Sequence, residues 1–285
     1  ILLPRFDVKE VMDTIQKEKV TCFCGVPTMY VAINNHPDVA KFELKSVRVA
    51  FSGGAALPVA VRRRFNELTG GSLVEGYGLT ESAAVGATNP FIGGLPKEGS
   101  IGIPFPSTDA KVVSLDDARS TLEVGKVGEL AIKGPQIMKG YWHNDSETRS
   151  TVLDGWLLTG DIARMDEDGY LYIVDRKKDM INVGGQNVYP REVEEVLFEH
   201  PLVKEAAVIG IPDPYMGETV KAFVVLKDPS TSATAQEAIT AFCRDRLAKY
   251  KVPWKYEFVN DLPKSLVGKV LRRRLREGEP TAKPA

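Results

Sequence analysis

Three short stretches gather side chains that can handle a nucleotide. In Tyr77-Gly78-Leu79-Thr80-Glu81-Ser82 an aromatic ring, a hydroxyl and a carboxylate fall close together. A tyrosine face stacks on a purine, a threonine hydroxyl donates to phosphate, and a glutamate holds the hard cation that accompanies a nucleoside triphosphate. Asp161 closes the run Asp154-Gly155-Trp156-Leu157-Leu158-Thr159-Gly160-Asp161, and Arg176 lies in Asp175-Arg176-Lys177-Lys178-Asp179. An ionised aspartate accepts two hydrogen bonds from vicinal hydroxyls, as on a ribose, and an arginine adds forked donors. The same residue types also serve as a turn aspartate and a surface arginine. Ser52-Gly53-Gly54-Ala55-Ala56-Leu57 lets backbone pass close to a flat ligand, although taken alone it reads first as a strand-to-helix turn that needs glycine.

These residues need strands and turns to position them. Thr21–Val26, Val47–Phe51 and Ser72–Glu75 carry the short apolar runs of strands, and Val8–Glu18, Thr28–Asn34 and Pro58–Leu68 the spacing of helices. Strands alternating with helices predict a mostly parallel, covered sheet, with ligands at the carboxyl ends of its strands. Pro58 is expected in the first turn of its helix, where the missing N–H is not needed. From Gly99 to Val174 helix signals fade, and Ala110–Ser114, Gly128–Lys133 and Tyr170–Val174 predict a β-rich subdomain. After Asp179 the alternation returns, with helices over Pro190–Glu199 and Ala235–Tyr250 and strands over Glu205–Gly210, Val220–Leu226 and Tyr256–Val259. The fold class expected is therefore α/β: a partial, mostly parallel sheet (1–98) and a β-rich subdomain (99–176), followed by a small C-terminal α+β domain (177–285). Gly278–Ala285, rich in Pro and Ala, reads as a tail.

The 285 residues are 43% apolar, enough to fill a core. With 37 basic against 38 acidic residues the net charge is -1, which gives no support to a nucleic-acid partner. The three cysteines, Cys22, Cys24 and Cys243, are expected to be buried thiols in a reducing compartment. The scattered His36, His143 and His200 do not suggest a zinc site, and hydrolase signatures such as Gly-x-Ser-x-Gly are absent. No apolar run is long enough for a membrane helix. Ile1-Leu2-Leu3 reads as a buried strand entering a turn, and so as a start inside a domain.

Read together and in order, the three opening blocks resemble the nucleotide-handling motifs of adenylate-forming, AMP-binding enzymes. The likeness is nearest to bacterial long-chain fatty-acyl-CoA synthetases, which activate a carboxylate as its acyl-adenylate and pass it to coenzyme A. The resemblance implies that Gly53, Gly54 and Ala55 lie against adenine, that Glu75 faces the adenine edge, and that Tyr77, next to Gly78, stacks on the base. Thr80 would contact the α-phosphate, Glu81 would serve Mg2+, and Asp161 with Arg176 would hold the ribose of ATP or AMP. Lys178 falls at the family's interdomain hinge. Gly184 and Gly185, in Val183-Gly184-Gly185-Gln186-Asn187-Val188-Tyr189-Pro190, would admit the thin pantetheine arm of coenzyme A. In Pro263-Lys264-Ser265-Leu266-Val267-Gly268-Lys269, Lys269 would bridge the substrate carboxylate and the α-phosphate during adenylation, with Arg272 following at the family spacing.

Other stretches carry less. Gly125-Lys126-Val127-Gly128-Glu129-Leu130 through Gly134, Met138, Gly140 and Tyr141 matches a further family block and is expected to shape the β-rich subdomain without doing chemistry. Arg272-Arg273-Arg274-Leu275-Arg276 reads as a solvated helix face, with contact to CoA phosphates as its alternative. The family also has a phosphate loop with a Thr-Gly-x-Pro-Lys element that this sequence lacks, so the chain is expected to be the latter half of a family member. Two functions stay open: an ATP-dependent fatty-acyl-CoA ligase portion, or a non-catalytic nucleotide- or partner-binding fragment. The tail Tyr250-Lys251-Val252-Pro253 is similar to that of the fatty-acyl enzymes, while Trp254 stands where a basic residue often follows; aryl and short-chain acids remain alternatives. The expected location is the cytoplasm, with peripheral contact at the inner face of a membrane and oligomer formation through an exposed sheet edge kept open.

Overall fold

The computed structural model describes residues 1–91, 94–265 and 270–279, without the side chains of Thr231 and Ala233. Contacts divide the chain into two compact units: Ile1–Thr159 with Ala163–Ile173, and Gly160–Ile162 with the chain from Val174 onward.

In the first unit, α1 (Val8–Glu18) opens where Asp7 accepts a 2.9 Å bond from the Glu10 amide, a side-chain N-cap. Next come β1 (Cys22–Gly25), α2 (Pro27–Asn34), β2 (Val49–Ser52), α3 (Val59–Thr69) and β3 (Ser72–Tyr77). Strands β1, β2 and β3 pair in parallel, with Gly25 opposite Ser52 and Ser52 opposite Glu75. The short antiparallel strands β4 (Ala87–Thr88) and β5 (Ile103–Pro104) extend the sheet beyond β3. Met12, Ile15, Tyr30, Ile33, Ala50, Phe65 and Leu73 form the core between helices and sheet, and Tyr30 meets Phe65 edge-on with ring centroids 4.9 Å apart. Burial of these apolar side chains is the main favourable contribution to folding.

The β-rich part follows as β6 (Asp109–Val113), β7 (Gly128–Lys133), a short α4 (Asp145–Thr151), β8 (Val152–Leu153), β9 (Trp156–Met165) and β10 (Leu171–Arg176). Its sheet runs β10-β9-β7-β6, with β8 paired to β9. Leu130, Ile132, Leu157, Ala163 and Leu171 pack together on it. The division between the units passes through β9 and β10.

The second unit contains β11 (Ile181–Val183), β12 (Gln186–Val188), α5 (Pro190–Glu199), β13 (Val203–Asp213), β14 (Gly217–Leu226), α6 (Ser232–Arg244), β15 (Lys255–Phe258) and α7 (Arg272–Glu277). Its five-stranded sheet is ordered β12-β11-β14-β13, with β15 added in parallel to β14. Along β13, Ala206 and Val208 join one cluster with Val193, Leu197 and Ile239, while Ala207, Ile209 and Ile211 join a second with Leu262. Strand alternation thus feeds two cores from one strand.

Several sequence expectations need correction. Pro58 is the N-cap of α3 with ψ 135°, outside the first turn, because the Leu57 amide donates to Glu75 Oε1 at 3.3 Å and keeps this segment extended. Helix α4 interrupts the stretch expected to lack helices, capped by Asn144 accepting from the Glu147 amide. The second-unit helix ends at Arg244, short of Tyr250. Cys22 and Cys24 are exposed and only Cys243 is buried, since alternation on β1 turns Phe23 to the core instead. Ile1 and Leu2 are exposed and lie outside any strand.

His200, at the end of α5, is buried; its Nδ1 accepts from the Leu202 amide at 3.2 Å, and its ring meets Phe242 edge-on. Burial, with Arg246 and Lys227 adding, lowers its pKa below the ordinary histidine value. A lowered folded pKa means the unfolded chain binds the proton more readily, so this contribution is intact above about pH 6.5 and is lost as pH falls. The urea midpoint is expected to drop between pH 7.5 and pH 5.5, and to drop less in His200→Gln.

Candidate functional site

The first unit brings its candidate residues to the carboxyl ends of β1, β2 and β3, where parallel sheets bind ligands. Gly53 continues β2, and its amide donates to the Gly25 carbonyl at 3.2 Å. A Cβ on Gly53 would lie 3.8 Å from the Gly76 carbonyl, so the loop after β2 runs beside the end of β3. Gly54 has φ +80°, a conformation that favours glycine, and Ala55 is half-buried behind it. Glu75, at the end of β3, is held by the Leu57 amide. Half-buried Tyr77 packs on the cluster of Ala87, Ile101 and Leu130, and a Cβ on Gly86 would stand 3.1 Å from its ring.

Beyond Tyr77 the chain reverses tightly. Ala83 and Ala84 both take left-handed conformations, with φ 50° and 61°, and a Cβ on Gly78 would come within 2.2 Å of the Ala84 carbonyl oxygen. Non-glycine residues in this region store strain of about 1–3 kcal/mol each. The reversal presents Thr80 exposed and Glu81 half-buried on a short turn that Ser82 closes by accepting from the Leu79 amide at 3.1 Å. Tyr141 donates to Glu81 Oε1 at 2.8 Å, and the Met138 amide donates to the Glu81 carbonyl at 2.8 Å. Burial, then the Glu81 bond, raises the Tyr141 pKa. Among the described residues no group of three His, Cys, Asp or Glu could cage a metal. Glu81 fits magnesium all the same, because that ion is bound through one or two carboxylates with phosphate and water completing its shell.

In the second unit Asp161 is buried on β9, and Arg176 Nε lies 3.0 Å from its Oδ1. Gly184 and Gly185, with φ +58° and +85°, form the two-residue turn between β11 and β12. The Gly184 amide donates to the Met216 carbonyl at 2.8 Å, the Gly185 amide to Asn182 Oδ1 at 2.8 Å, and both glycines are exposed. Lys178 is exposed in a single 3-10 turn. Lys269 and Gly268 lie outside the described residues; the chain on either side is joined by a bridge between Lys264 and Val270.

A charged cluster surrounds the turn that carries Lys178. Asp175 Oδ1 accepts from the Arg176 amide and Oδ2 from the Arg191 amide, each at 2.7 Å. Arg272 reaches Glu194 Oε2 at 2.6 Å, Asp179 at 3.4 Å and Asp175 at 3.8 Å, and Arg276 reaches Asp179 Oδ1 at 2.9 Å. Burial raises the Glu194 pKa while Arg272 opposes it. The arginine run is therefore not a uniformly solvated face: Arg272 and Arg276 turn toward carboxylates, and Arg273 pairs with exposed Glu277.

Sequence reasoning missed two of these roles. Tyr141 was expected only to shape a strand region, and its link to Glu81 spans 60 residues, beyond any local pattern. Arg272 and Arg276 did carry a signal, the four-residue spacing that puts both on one helix face. Their partners at 175, 179 and 194 sit too far away in sequence to be paired by inspection.

Comparison with known proteins adds a second line. The AMP-binding enzyme family matches residues 1–142, and the AMP-binding enzyme C-terminal domain matches residues 192–269. A long-chain-fatty-acid–CoA ligase of Bacillus subtilis is 53% identical over 98% of this chain and 49% of its own length. The Escherichia coli O6:H1 protein of the same name is 46% identical over 95% of this chain and 47% of its own, and a feruloyl-CoA synthase of Amycolatopsis sp is 41% identical over 97% and 55%. The chain thus spans about half the length of the curated relatives it matches. Among solved structures, ATP-bound MatB from Rhodopseudomonas palustris superposes with TM-score 0.88 at 36% identity, covering 97% of this chain and 54% of that one. The anthranilate CoA ligase AuaEII in complex with anthranoyl-AMP gives 0.84 at 36%, covering 98% and 54%.

The charged cluster makes a stability prediction. Arg272→Met leaves Glu194, Asp179 and Asp175 short of a countercharge, and urea unfolding is expected to show a loss of about 3–5 kcal/mol. Arg273→Met, whose partner is exposed, is expected to change stability by less than about 1 kcal/mol.

Proposed function

The chain belongs to the AMP-binding enzyme family, and on that premise we propose that the protein carrying it is an ATP-dependent acid–thiol ligase that joins a fatty acid to coenzyme A. One observation carries the reading. Gly53, Gly54 and Ala55 follow β2, Glu75 and Tyr77 end the neighbouring parallel strand β3, and Thr80 and Glu81 sit on the turn after it, a grouping that suits a flat ligand next to a phosphate. The 53% identity to a long-chain-fatty-acid–CoA ligase supports the choice of acid.

In the first half-reaction a carboxylate oxygen of the acid attacks the α-phosphorus of ATP and pyrophosphate leaves, giving acyl-AMP. Tyr77 is assigned the adenine face, with Gly53, Gly54 and Ala55 on the other side and Glu75 at the base edge. Gly78 serves by leaving room for the loop beyond it. Thr80 donates to the α-phosphate, and Asp161 with Arg176 takes the ribose hydroxyls. Glu81 would hold magnesium, which would supply positive charge to the phosphates. Lys269 is assigned the position between carboxylate and α-phosphate, where a point positive charge acts chiefly on the transition state. In the second half-reaction the CoA thiolate attacks the acyl carbon and AMP leaves; Gly184 and Gly185 admit the pantetheine arm, and Lys178 is the backbone pivot between the two steps, with residues 177–285 as the mobile domain. The cytoplasm is the proposed location.

The feruloyl-CoA synthase match supports a second reading, in which the acid is aryl. For the 285-residue chain alone, the competing reading is a nucleotide-binding fragment without turnover. A panel of long-chain, short-chain and aryl acids, assayed for acyl-CoA with the full-length protein, separates these, and a full-length protein inert on every acid would overturn the ligase reading. Calorimetric titration with AMP tests the pocket directly: Tyr77→Ala is expected to weaken binding by about 1–3 kcal/mol, the usual value of a base–aromatic stack.

A further inference from the structure

The segment from Gln136 to Tyr141 runs along the loop that holds Glu81 and touches it three times. Gln136 Nε2 donates to the Val85 carbonyl at 3.3 Å, the Met138 amide donates to the Glu81 carbonyl at 2.8 Å, and the Tyr141 hydroxyl donates to Glu81 Oε1 at 2.8 Å. The segment is itself pinned from the other side. The Tyr141 amide donates to Thr148 Oγ1 at 2.9 Å, and a Cβ on Gly140 would stand 2.7 Å from Thr148 Cγ2, so glycine at 140 is what lets Thr148 close on the backbone before Tyr141.

The geometry points to Tyr141 as a positioning residue for the metal carboxylate: its hydroxyl fixes the rotation of Glu81 and leaves Oε2 to the cation. This rests on the nucleotide reading above and adds to it a role for a residue that acts through Glu81. A glutamate χ3 torsion is broad, and an O–H···O bond to an ionised oxygen holds the carboxylate plane near one angle. Removing such an outer partner of a metal ligand typically lowers metal affinity by about 10–100-fold. Gln136 and Met138 hold the backbone of the loop, whereas Tyr141 alone of the three reaches the carboxylate.

Tyr141→Phe deletes one oxygen and keeps the ring, so the test can be read without unfolding the subdomain. In the full-length protein with a non-reactive ATP analogue, Mn2+ binding followed by electron paramagnetic resonance is expected to weaken roughly tenfold. The Mg2+ concentration for half-maximal adenylate formation should rise by a similar factor, with the rate restored at saturating Mg2+ and the thermal midpoint unmoved. In a Glu81→Ala background the same substitution should have no further effect on Mn2+ affinity, because the acceptor of the Tyr141 hydroxyl is already removed. Equal Mn2+ affinity in wild type and Tyr141→Phe overturns the inference, as does a fall that persists in full in the Glu81→Ala background. A wild-type protein that binds no Mn2+ with the analogue removes the nucleotide reading itself, a result distinct from either of these.

Discussion

Gly78 has no space for a side chain because the Ala84 carbonyl occupies the position a Cβ would need, and this close approach sets the rest of the first site. For the chain to return so tightly, Ala83 and Ala84 adopt backbone angles that alanine rarely takes. The strain is held by neighbours: the Gly86 amide bonds to the Tyr77 carbonyl at 3.0 Å, the Ala84 amide to the Leu79 carbonyl at 2.7 Å, and the Val85 amide to the Ser82 carbonyl at 2.9 Å. Thr80 and Glu81 are therefore carried on a rigid loop, although they lie outside regular strand or α-helix. A binding group on such a loop reaches its ligand already ordered, and so loses less conformational freedom on binding.

The second unit solves a different problem. Its turn at Lys177–Asp179 and the segment beginning at Val270 are far apart in sequence, and neither belongs to a long element with a core of its own. Arg272 brings them together through a guanidinium that meets carboxylates from three places in the chain. Burial works against the charge of Arg272, and the carboxylates of Glu194 and Asp175 more than compensate. Hydrogen bonds to the Arg176, Arg191 and Val208 amides satisfy further carboxylate oxygens, which is what makes a buried charged cluster tolerable.

Much of this was legible from residue order. The parallel strands of the first unit, the strands that become β13 and β14 and the helix at Pro190 follow from apolar periodicity with glycine and proline punctuation. The Tyr77–Glu81 block was legible because its residue types sit adjacent. What escaped was set by contacts distant in sequence. Pro58 moved to an N-cap because Glu75 holds Leu57, and the cysteines of β1 are exposed because the strand's alternation gave the core to Phe23. Tyr141 and Arg272 look like ordinary polar positions until the fold places Glu81 beside one and three carboxylates around the other. Local pattern reports which face of an element is apolar; it carries no information about which distant charge will be opposite.

Helix α7 is six residues long, too short to persist on its own helical propensity, so its place is owed to its side-chain partners. Evolution then meets a constraint at four positions, three of them before residue 200 and the fourth at 272. A lineage that replaces Arg272 with a neutral residue inherits surplus negative charge at Asp175, Asp179 and Glu194, and one that neutralises those acids first strands a half-buried guanidinium. Single steps in either direction pass through a damaged intermediate, so these four positions are expected to drift as a set, and chimeras that take the C-terminal segment from one relative and the remainder from another should fold best when all four come from the same parent.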